Sequence, residues 1–467
     1  MHDSALHRRS CKGLLLVRGS GLGLLLLFFW LATSWSTAQA ATLCVDKTNS
    51  PPCYATVQAA VNGASAGDTI LIAAGTYQDG VINIPASKSL SLVGSGAGTT
   101  ILDGGGTDRV FLIFSPTNLS ELTVQNGYAQ NLSGGGIHGS GPITLTNVDV
   151  LTNTADLTGG AISVDSDLIL DHVRVRNNTA SSWTGGAYAN GIFVTNSLFQ
   201  ENRSTGQYGK GGGLWANSSL VITATWFISN SAVAGGGGAG GGSAVTVADS
   251  LFQGNSCSDI NCKGGGLALA SGTITGTQFI SNTTLAAGGA VNATGVLNVI
   301  NSKFSANVCT GNTSIGGALS LPSGTIYGSQ IVSNTAGYYG GGLYASNTVV
   351  ITSSQFVENS CSKSGCTGGG LYASGGTITG TEVLSNTSDA NGAGVVFIDA
   401  GTIINSRFGA NRCTYSACYG GGLYLQSGGS IAGSQFISNT SPYQGGGVYA
   451  QQWTTVTDSR FERNVTT

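Results

Sequence analysis

The feature that most constrains this chain is an asparagine that recurs at a nearly fixed interval through its last two thirds. Successive members lie 24 to 28 residues apart, and most of them close a segment of the form Phe-x-x-Asn. A unit of this length cannot bury a core of its own, so the units are expected to stack into a solenoid. The recurring positions are Asn153, Asn178, Asn202, Asn230, Asn255, Asn282, Asn307, Asn334, Asn359, Asn386, Asn411, Asn439 and Asn464.

The residues between the asparagines indicate which kind of solenoid forms. Gly supplies 75 of the 467 residues, and short runs of Val, Ile, Thr and aromatic residues are bounded by Gly, Asn or Ser. A helical repeat would need an apolar period of 3.6 residues, and the spacing of leucine-rich repeats is absent. We therefore predict an all-β fold, a right-handed parallel β-helix solenoid of about 25–27 residues per rung.

Alternation along each strand predicts which side chains face the core. In one block Leu371, Ala373 and Val383 would face inward, while Tyr372 and Glu382 would face outward. Stacked asparagines would pass side-chain hydrogen bonds from rung to rung. The inward position before each asparagine is expected to form a buried apolar column of Val150, Val175, Phe199, Phe227, Phe252, Phe279, Phe304, Ile331, Phe356, Val383, Phe408, Phe436 and Phe461.

Two short steps recur in the units and carry a family resemblance. GGAIS at 159–163 and GGALS at 316–320 represent the first step, and FISN at 227–230, 279–282 and 436–439 the second. Over about residues 134–467 they resemble the repeats of the polymorphic outer-membrane protein family. The resemblance implies a surface-displayed β-helix, in many members an adhesin exported through a C-terminal β-barrel. We expect neither a barrel nor a C-terminal cap within this sequence, which makes it more similar to secreted β-helix proteins with the same repeat.

The N-terminal third has a different pattern. Residues 54–67 place Val57, Ala60 and Val61 at helical spacing, and a strand pattern follows. This run resembles the start of secreted pectate-lyase-like β-helices, which implies a helix that caps the open end of the core. We predict three segments: a signal peptide at 1–40, the cap and first rungs at 41–105, and the repeat β-helix at 106–467.

The first 40 residues predict export. Four basic residues lie before or beside the apolar run 22–31, and Ala-Gln-Ala at 38–40 offers a cleavage site. A single-pass anchor is the alternative, but about a dozen apolar residues is short for a membrane span. We expect a secreted or cell-surface protein that inserts no segment into a membrane.

The charge of the chain indicates which class of binding partner to expect. Removal of residues 1–40 leaves 14 Lys and Arg against 20 Asp and Glu, and no basic stripe is present. Nucleic acid is therefore excluded as an expected partner. We expect a monomer along its length that needs no cofactor and binds a glycan or a surface protein.

Cysteine spacing predicts disulfides. Cys44 lies near Cys53, and three pairs share C-x4-C spacing: Cys257 with Cys262, Cys361 with Cys366, and Cys413 with Cys418. Zinc is the alternative, but successive pairs would lie about 9.6 Å or more apart along the stack, too far for one tetrahedral ion. We predict four disulfides in an oxidising compartment and no metal site. Cys309 would be left unpaired, because Ser314 occupies its partner's position.

One charged patch is the candidate for catalysis. Asp149, Asp171, His172 and Arg174 are the residues we would assign to it, because pectate-lyase-like enzymes place acidic and basic groups on one outer face. Asp149 and Arg174, however, each precede an inward Val and would form an exposed cross-rung ion pair of about 0 to 1 kcal/mol. That pair requires no catalytic explanation.

A set of aromatic residues is the candidate for binding. They follow the Gly step and would face outward, where rings can stack on sugars or on one another. No rung from Asn255 onward differs chemically from its neighbours, and only 8% of residues are charged. We therefore expect a non-enzymatic adhesion, binding or display protein, with a polysaccharide lyase or hydrolase as the alternative. The candidate binding residues are Trp215, Tyr344, Tyr372, Tyr424 and Tyr449.

Overall fold

The computed structural model describes residues 40–48 and 50–467, so the predicted signal peptide lies outside the described residues except for Ala40. These residues form an all-β parallel solenoid of about 17 turns with one helix, and the predicted fold class is confirmed. We call the four strand positions of each rung columns 1 to 4, in chain order. Columns 1 to 3 join into a sheet of 42 strands, and column 4 forms a sheet of 14.

Column 1 follows the Gly step, and column 2 follows it around the rung. Column 1 consists of Ile82–Ile84, Phe111–Ile113, Ile137–Gly139, Leu214–Ala216, Ala239–Gly241, Leu267–Leu269, Val291–Ala293, Leu319–Leu321, Val395–Phe397, Leu423–Leu425 and Val448–Ala450. Column 2 consists of Thr42–Val45, Thr69–Ile72, Leu90–Val93, Ser219–Thr223, Ala244–Ala248, Gly272–Thr275, Val296–Ile300, Ser323–Tyr327, Gly401–Ile404, Gly429–Ala432 and Thr454–Thr457. Four strands span both columns without a break: Ile162–Asp171, Ala187–Thr195, Leu343–Thr352 and Leu371–Thr379.

Column 3 carries the inward aromatic residue, and column 4 follows the asparagine. Column 3 consists of Gly75–Tyr77, Thr100–Asp103, Arg174–Arg176, Leu198–Gln200, Trp226–Ile228, Leu251–Gln253, Gln278–Ile280, Lys303–Ser305, Gln330–Val332, Gln355–Val357, Glu382–Leu384, Arg407–Gly409, Gln435–Ile437 and Arg460–Glu462. Thr117–Gln125 and Ile143–Leu151 span columns 2 and 3. Column 4 consists of Tyr128–Ala129, Thr154–Ala155, Thr179–Ala180, Arg203–Ser204, Ser231–Ala232, Ser256–Cys257, Thr283–Thr284, Val308–Cys309, Thr335–Ala336, Ser360–Cys361, Thr387–Ser388, Arg412–Cys413, Thr440–Ser441 and Val465–Thr466.

The predicted apolar column lies in the core over nearly its whole length. Every member from Val150 to Phe436 is buried, and five consecutive phenylalanine rings from Phe199 to Phe304 stack at centroid distances of 4.6 to 5.0 Å. Phe461 is the exception, because it lies on the last rung and is 46% exposed. Its predicted burial is therefore wrong for the described residues, among which no further rung lies beyond its ring.

The asparagines form a continuous ladder inside the turn between columns 3 and 4. Asn359 shows the pattern: its Nδ2 donates to the carbonyl of Ile331 at 2.7 Å and to Oδ1 of Asn386 at 3.0 Å. Its own Oδ1 accepts from the backbone N–H and from Nδ2 of Asn334. All the asparagines from Asn153 to Asn439 are fully buried, so this ladder satisfies amides that would be costly to bury unpaired.

The one helix of the described residues, Val57–Gly63, closes the N-terminal end of the core. Thr56 accepts a hydrogen bond from the backbone N–H of Ala59, which caps the first turn. The helix buries Val57 and Val61 against the first strands of columns 1 and 2, where the core would otherwise meet water. Among the described residues, no helix has the length and apolar character needed to cross a membrane.

The described cysteines form the pairs that the sequence indicated. Cys44 is bonded to Cys53, and Cys257, Cys361 and Cys413 each close a small loop with the cysteine five positions on. Cys309 is unpaired and buried. In its loop a hydrogen bond of 2.8 Å from Ser314 Oγ to the carbonyl of Cys309 takes the place of the disulfide.

Candidate functional site

The four charged residues of the predicted patch lie together: Asp149 and Arg174 in column 3, Asp171 at the end of column 2, and His172 on the turn between these columns. Parallel pairing sets Arg174 beside Asp149 on the previous rung, and Leu198 and then Trp226 continue the same outward row. Turn residues fill the row beside it, including His172 and Asn196. These positions lie on four consecutive rungs and form one continuous surface.

Asp149 and Arg174 form a bidentate ion pair. Arg174 Nε donates to Asp149 Oδ1 at 2.6 Å, and its Nη2 donates to Oδ2 at 2.5 Å. The pair was expected to be exposed, and this is wrong for the carboxylate, since Asp149 is only 6% exposed. Hydrogen bonding to Asp149 raises the pKa of Arg174, so the guanidinium stays charged. Its Nη1 edge takes no part in the pair and remains free to bind an anion.

His172 and Asp171 form a second pair on the adjacent turn. His172 Nδ1 lies 2.9 Å from Asp171 Oδ1, which also accepts a hydrogen bond from Asn196 at 3.2 Å. The imidazole is 57% exposed, and its Nε2 is left for an external partner. His172 has a φ of +55°, a left-handed conformation in a turn row where Gly and Asn are common.

Trp226 completes the surface. Its ring is 55% exposed and lines a cleft of about 410 Å³ together with His172, Arg174, Asn196 and Leu198. Sequence analysis did not select Trp226, although it precedes Phe227 as Arg174 precedes Val175. The sequence pattern therefore contains the whole outward row of column 3. Only its charged members, Asp149 and Arg174, were predicted to form a site.

The cleft holds the groups needed for proton abstraction beside an anion. Asp171 orients His172 so that Nε2 can act as a base, and Arg174 supplies a fixed positive charge. Both oxygens of Asp149 are engaged by Arg174, so Asp149 is not free to serve as one of two hydrolytic carboxylates. The arrangement therefore suits acid–base chemistry by histidine better than hydrolysis by paired carboxylates.

A wider cleft of about 540 Å³ lies nearer the N-terminus around Asp103 and Tyr128. Burial raises the pKa of Asp103, but hydrogen bonds from Gln125, Gly105 and Asn126 outweigh it and hold that pKa below its usual value. Its carboxylate is thus a hydrogen-bond acceptor fixed by its neighbours. No cluster of three or more His, Cys, Asp or Glu that could hold a metal occurs in residues 40–48 and 50–467.

The aromatic row of column 1 is interrupted in the structure. Tyr344 stacks on Tyr372 at 5.6 Å, and Tyr424 stacks on Tyr449 at 5.7 Å, but the buried Val396 separates the two pairs. The expected exposed strip is wrong at Tyr424, which is only 6% exposed.

The rings are covered by tyrosines of the preceding turns. Tyr339 lies 4.4 Å from Tyr372, and Tyr419 lies 4.6 Å from Tyr449. Burial, with the neighbouring Tyr338 next in importance, raises the pKa of Tyr339 to about 12. These rings mainly stabilise one another. Trp215 lies apart, five rungs before Tyr344.

Comparison with known proteins finds likenesses only among solved structures, and these are weak. The chain matches no protein-family model and no curated protein, so the resemblance to polymorphic outer-membrane protein repeats stays a prediction. Among solved structures, a pectin methylesterase in complex with a hexasaccharide is 10% identical, with 52% of this chain and 80% of that chain covered and a TM-score of 0.28.

Two further solved structures cover more of the chain. The A-module of a mannuronan C-5 epimerase from Azotobacter vinelandii is 14% identical over 87% of this chain and 94% of that chain, with a TM-score of 0.24. A PL6 family alginate lyase is 9% identical over 90% of this chain and 100% of that chain, with a TM-score of 0.22. At these scores the likenesses carry no argument about residues or substrate.

The comparison does correct one expectation. We expected no enzymatic activity, whereas each solved structure reported above is that of an enzyme acting on a polysaccharide. That expectation rested on the uniform rungs after Asn255. The rungs before it are less uniform, and they carry His172, Arg174 and Trp226.

Proposed function

We propose that the chain is a lyase that cleaves an acidic polysaccharide at the cleft of His172, Arg174 and Trp226. The observation that carries the proposal is the convergence there of a carboxylate-oriented imidazole, a fixed guanidinium and an exposed indole. A sugar ring can stack on the indole, and a uronate carboxylate can bind the free edge of Arg174.

The proposed reaction is a β-elimination. Arg174 neutralises the uronate carboxylate, which makes the neighbouring C5–H more acidic. His172 Nε2 takes the C5 proton, the C4=C5 double bond forms, and the C4–O bond breaks. The released oxygen then takes the proton from the imidazolium, so the histidine returns to its starting state and no further reactant is consumed. Asp171 stabilises the imidazolium between the two transfers.

Hydrolysis is the less favoured alternative for a geometric reason. A glycosidase needs two carboxyl groups that are free to act on the sugar. Of the two in this patch, Asp149 is committed to Arg174, and Asp171 is shared between His172 and Asn196. The disulfides support a place of action outside the cell, which we keep as part of the proposal.

The direct test is incubation of the protein with polygalacturonate or alginate, followed by ultraviolet absorbance of the unsaturated product. His172→Ala should lower kcat by about 100-fold or more, in the range that general base catalysis contributes. Arg174→Ala should mainly raise KM for uronate substrates.

The matched control lies in the same outward row. Arg407 pairs with Glu382 on the previous rung at 3.9 Å, as Arg174 pairs with Asp149, but it lies outside the His172 cleft. Arg407→Ala should leave turnover unchanged. Turnover that survives His172→Ala, or absence of unsaturated product from every polyuronide tested, would contradict the proposed reaction.

A further inference from the structure

A trough of small residues lies on the outer face of column 1, away from the cleft already described. Its floor follows the outward row through Gly240, Ala268, Asn292 and Ser320. Trp215 stands at one end and Tyr344 at the other, each in register with the floor. Five rung steps separate the two rings, so the trough is about 24 Å long.

The tryptophan end of the trough contains a cleft of about 290 Å³ with positive charge on its rim. Lys210 and Lys263 occupy the neighbouring outward row, with Gly235 between them. Lys210 Nζ lies 5.3 Å from the Trp215 ring and 5.5 Å from the Trp183 ring, which holds this part of the rim together. Among the described residues, neither lysine lies within ion-pair distance of a carboxylate.

The floor carries a polar group without a partner. Asn292 is only 6% exposed and lines this cleft, yet its side-chain amide makes no hydrogen bond within the described chain. Its amide atoms are still reached from the cleft, so a ligand hydroxyl there can bond to them. Asn292 is therefore an observation independent of the lysines and the tryptophan.

The trough depends on the absence of a side chain at Gly240. A Cβ on Gly240 would collide with the Trp215 ring, so the glycine lets the indole lie over the next rung. Tyrosines occupy the same row elsewhere, at Tyr344 and Tyr372, where consecutive rings stack. The row therefore tolerates large residues, and its small floor is a local feature of the rungs from Gly240 to Ser320.

We propose that this trough is a second, non-catalytic binding site for an acidic polysaccharide laid along the long axis. The two ammonium groups would bind carboxylates, Asn292 would bind a hydroxyl, and Trp215 would stack on a sugar ring. The inference goes beyond the proposed function, with which it shares only the class of polysaccharide. It involves none of the residues of the His172 cleft.

The test measures binding of hexagalacturonate and of neutral cellohexaose by calorimetry, with the full chain carrying His172→Ala and Arg174→Ala so that the probe is neither consumed nor held by Arg174 in the His172 cleft. Hexagalacturonate should bind and cellohexaose should bind at least tenfold more weakly. Ala268→Tyr fills the floor with a ring that this row accepts, and should weaken hexagalacturonate binding at least tenfold. Thr246→Tyr is the matched control, because it adds the same ring to the exposed face of column 2.

Charge and packing variants complete the test. Lys210→Gln with Lys263→Gln should weaken hexagalacturonate binding about tenfold, which equals about 1.4 kcal/mol. Unchanged binding in Ala268→Tyr would overturn the site, and equal affinity for cellohexaose would overturn the acidic class. Binding that depends on Ala268 in a protein without lyase activity would support the trough and contradict the proposed reaction, so the two failures are distinguishable.

Discussion

The rungs from Asp149 to Trp226 and those from Asn255 onward share one backbone but differ in what they display. In the outward row of column 3 the early rungs carry Asp149, Arg174 and Trp226, whereas the eight later ones carry four Gln, two Arg, one Lys and one Glu and no aromatic residue. The inward row stays apolar and buried, and the asparagine ladder continues, in both regions. The solenoid therefore separates stability, carried inside, from chemistry, carried outside. Function should be sought where the outward rows depart from the repeat.

The largest expected effect tests the shared interior. Asn178→Ala in the early region and Asn359→Ala in the late region each remove a side chain that accepts two hydrogen bonds and donates to the carbonyls and amides around it. Each should lower the free energy of unfolding by about 4 kcal/mol, because several buried groups lose their partners. Denaturant titration measures both, and a clear difference between the two variants would break the claim of a common interior.

The second prediction sharpens the comparison among the four equivalent loops after column 4. Ser314→Cys should form a disulfide with Cys309 and raise the free energy of unfolding by about 2 kcal/mol, the value for a loop of this size. In the protein without residues 1–40, which lacks Cys11, the number of thiols titrated in denaturant should then fall from one to none. Ser314→Ala is the control, since it removes the hydrogen bond without adding a crosslink. Two free thiols in the cysteine variant would contradict the equivalence of the loops.

The third prediction compares two ion pairs in the same outward row. Asp149→Asn should lower the free energy of unfolding by about 1 to 2 kcal/mol, because its partner Arg174 makes two short bonds to a buried carboxylate. Glu382→Gln should change it by less than about 0.5 kcal/mol, because both groups of that pair are exposed and 3.9 Å apart. Thermal unfolding at low and high salt checks both. If the two substitutions changed the free energy of unfolding equally, the ion pairs of the early and late rungs would not differ as proposed.

The effect that is smallest near neutral pH concerns Cys309, the one unpaired cysteine of the described residues. Burial raises the pKa of Cys309 to about 12, while a thiol in the unfolded chain has a pKa near 8.5. The unfolded state therefore releases its proton first, and stability should fall as the pH rises from about 8.5 toward about 12. Cys309→Ser should reduce this loss of stability at high pH. The check is the denaturant midpoint of each protein measured as a function of pH. In the native protein the thiol should resist alkylation at pH 8.

Much of the interior was predictable because it repeats. The asparagine period, the Gly step and strand alternation predicted the buried position of Val383 and the outward position of Tyr372. Phe461 departs from the pattern because burial requires a rung on both sides. Sequence alternation predicts which way a side chain points and does not predict what lies beyond it.

The outer surface was less predictable for that reason. Tyr424 was expected to be exposed, but Tyr449 stacks on it from the next rung and it is buried. Asp149 was expected to be exposed, but it is largely buried in its pair with Arg174. The burial of both side chains depends on how turns and neighbouring rungs cover the outward row. A local sequence pattern contains no information about this covering. Trp226 could have been found by following the row of Arg174.

The asparagine ladder also gives the molecule a rule for changing its length. Every asparagine presents the same donor to the rung after it and the same acceptor to the rung before it. If a two-rung block such as residues 359–410 were duplicated, Asn334 would still pair with an asparagine at the position of Asn359. If the block were deleted, Asn334 would pair with Asn411 instead. Gene duplication can therefore lengthen or shorten the solenoid in whole units without a mismatch at the junction. New outward rows are then free to diverge while the interior stays constant.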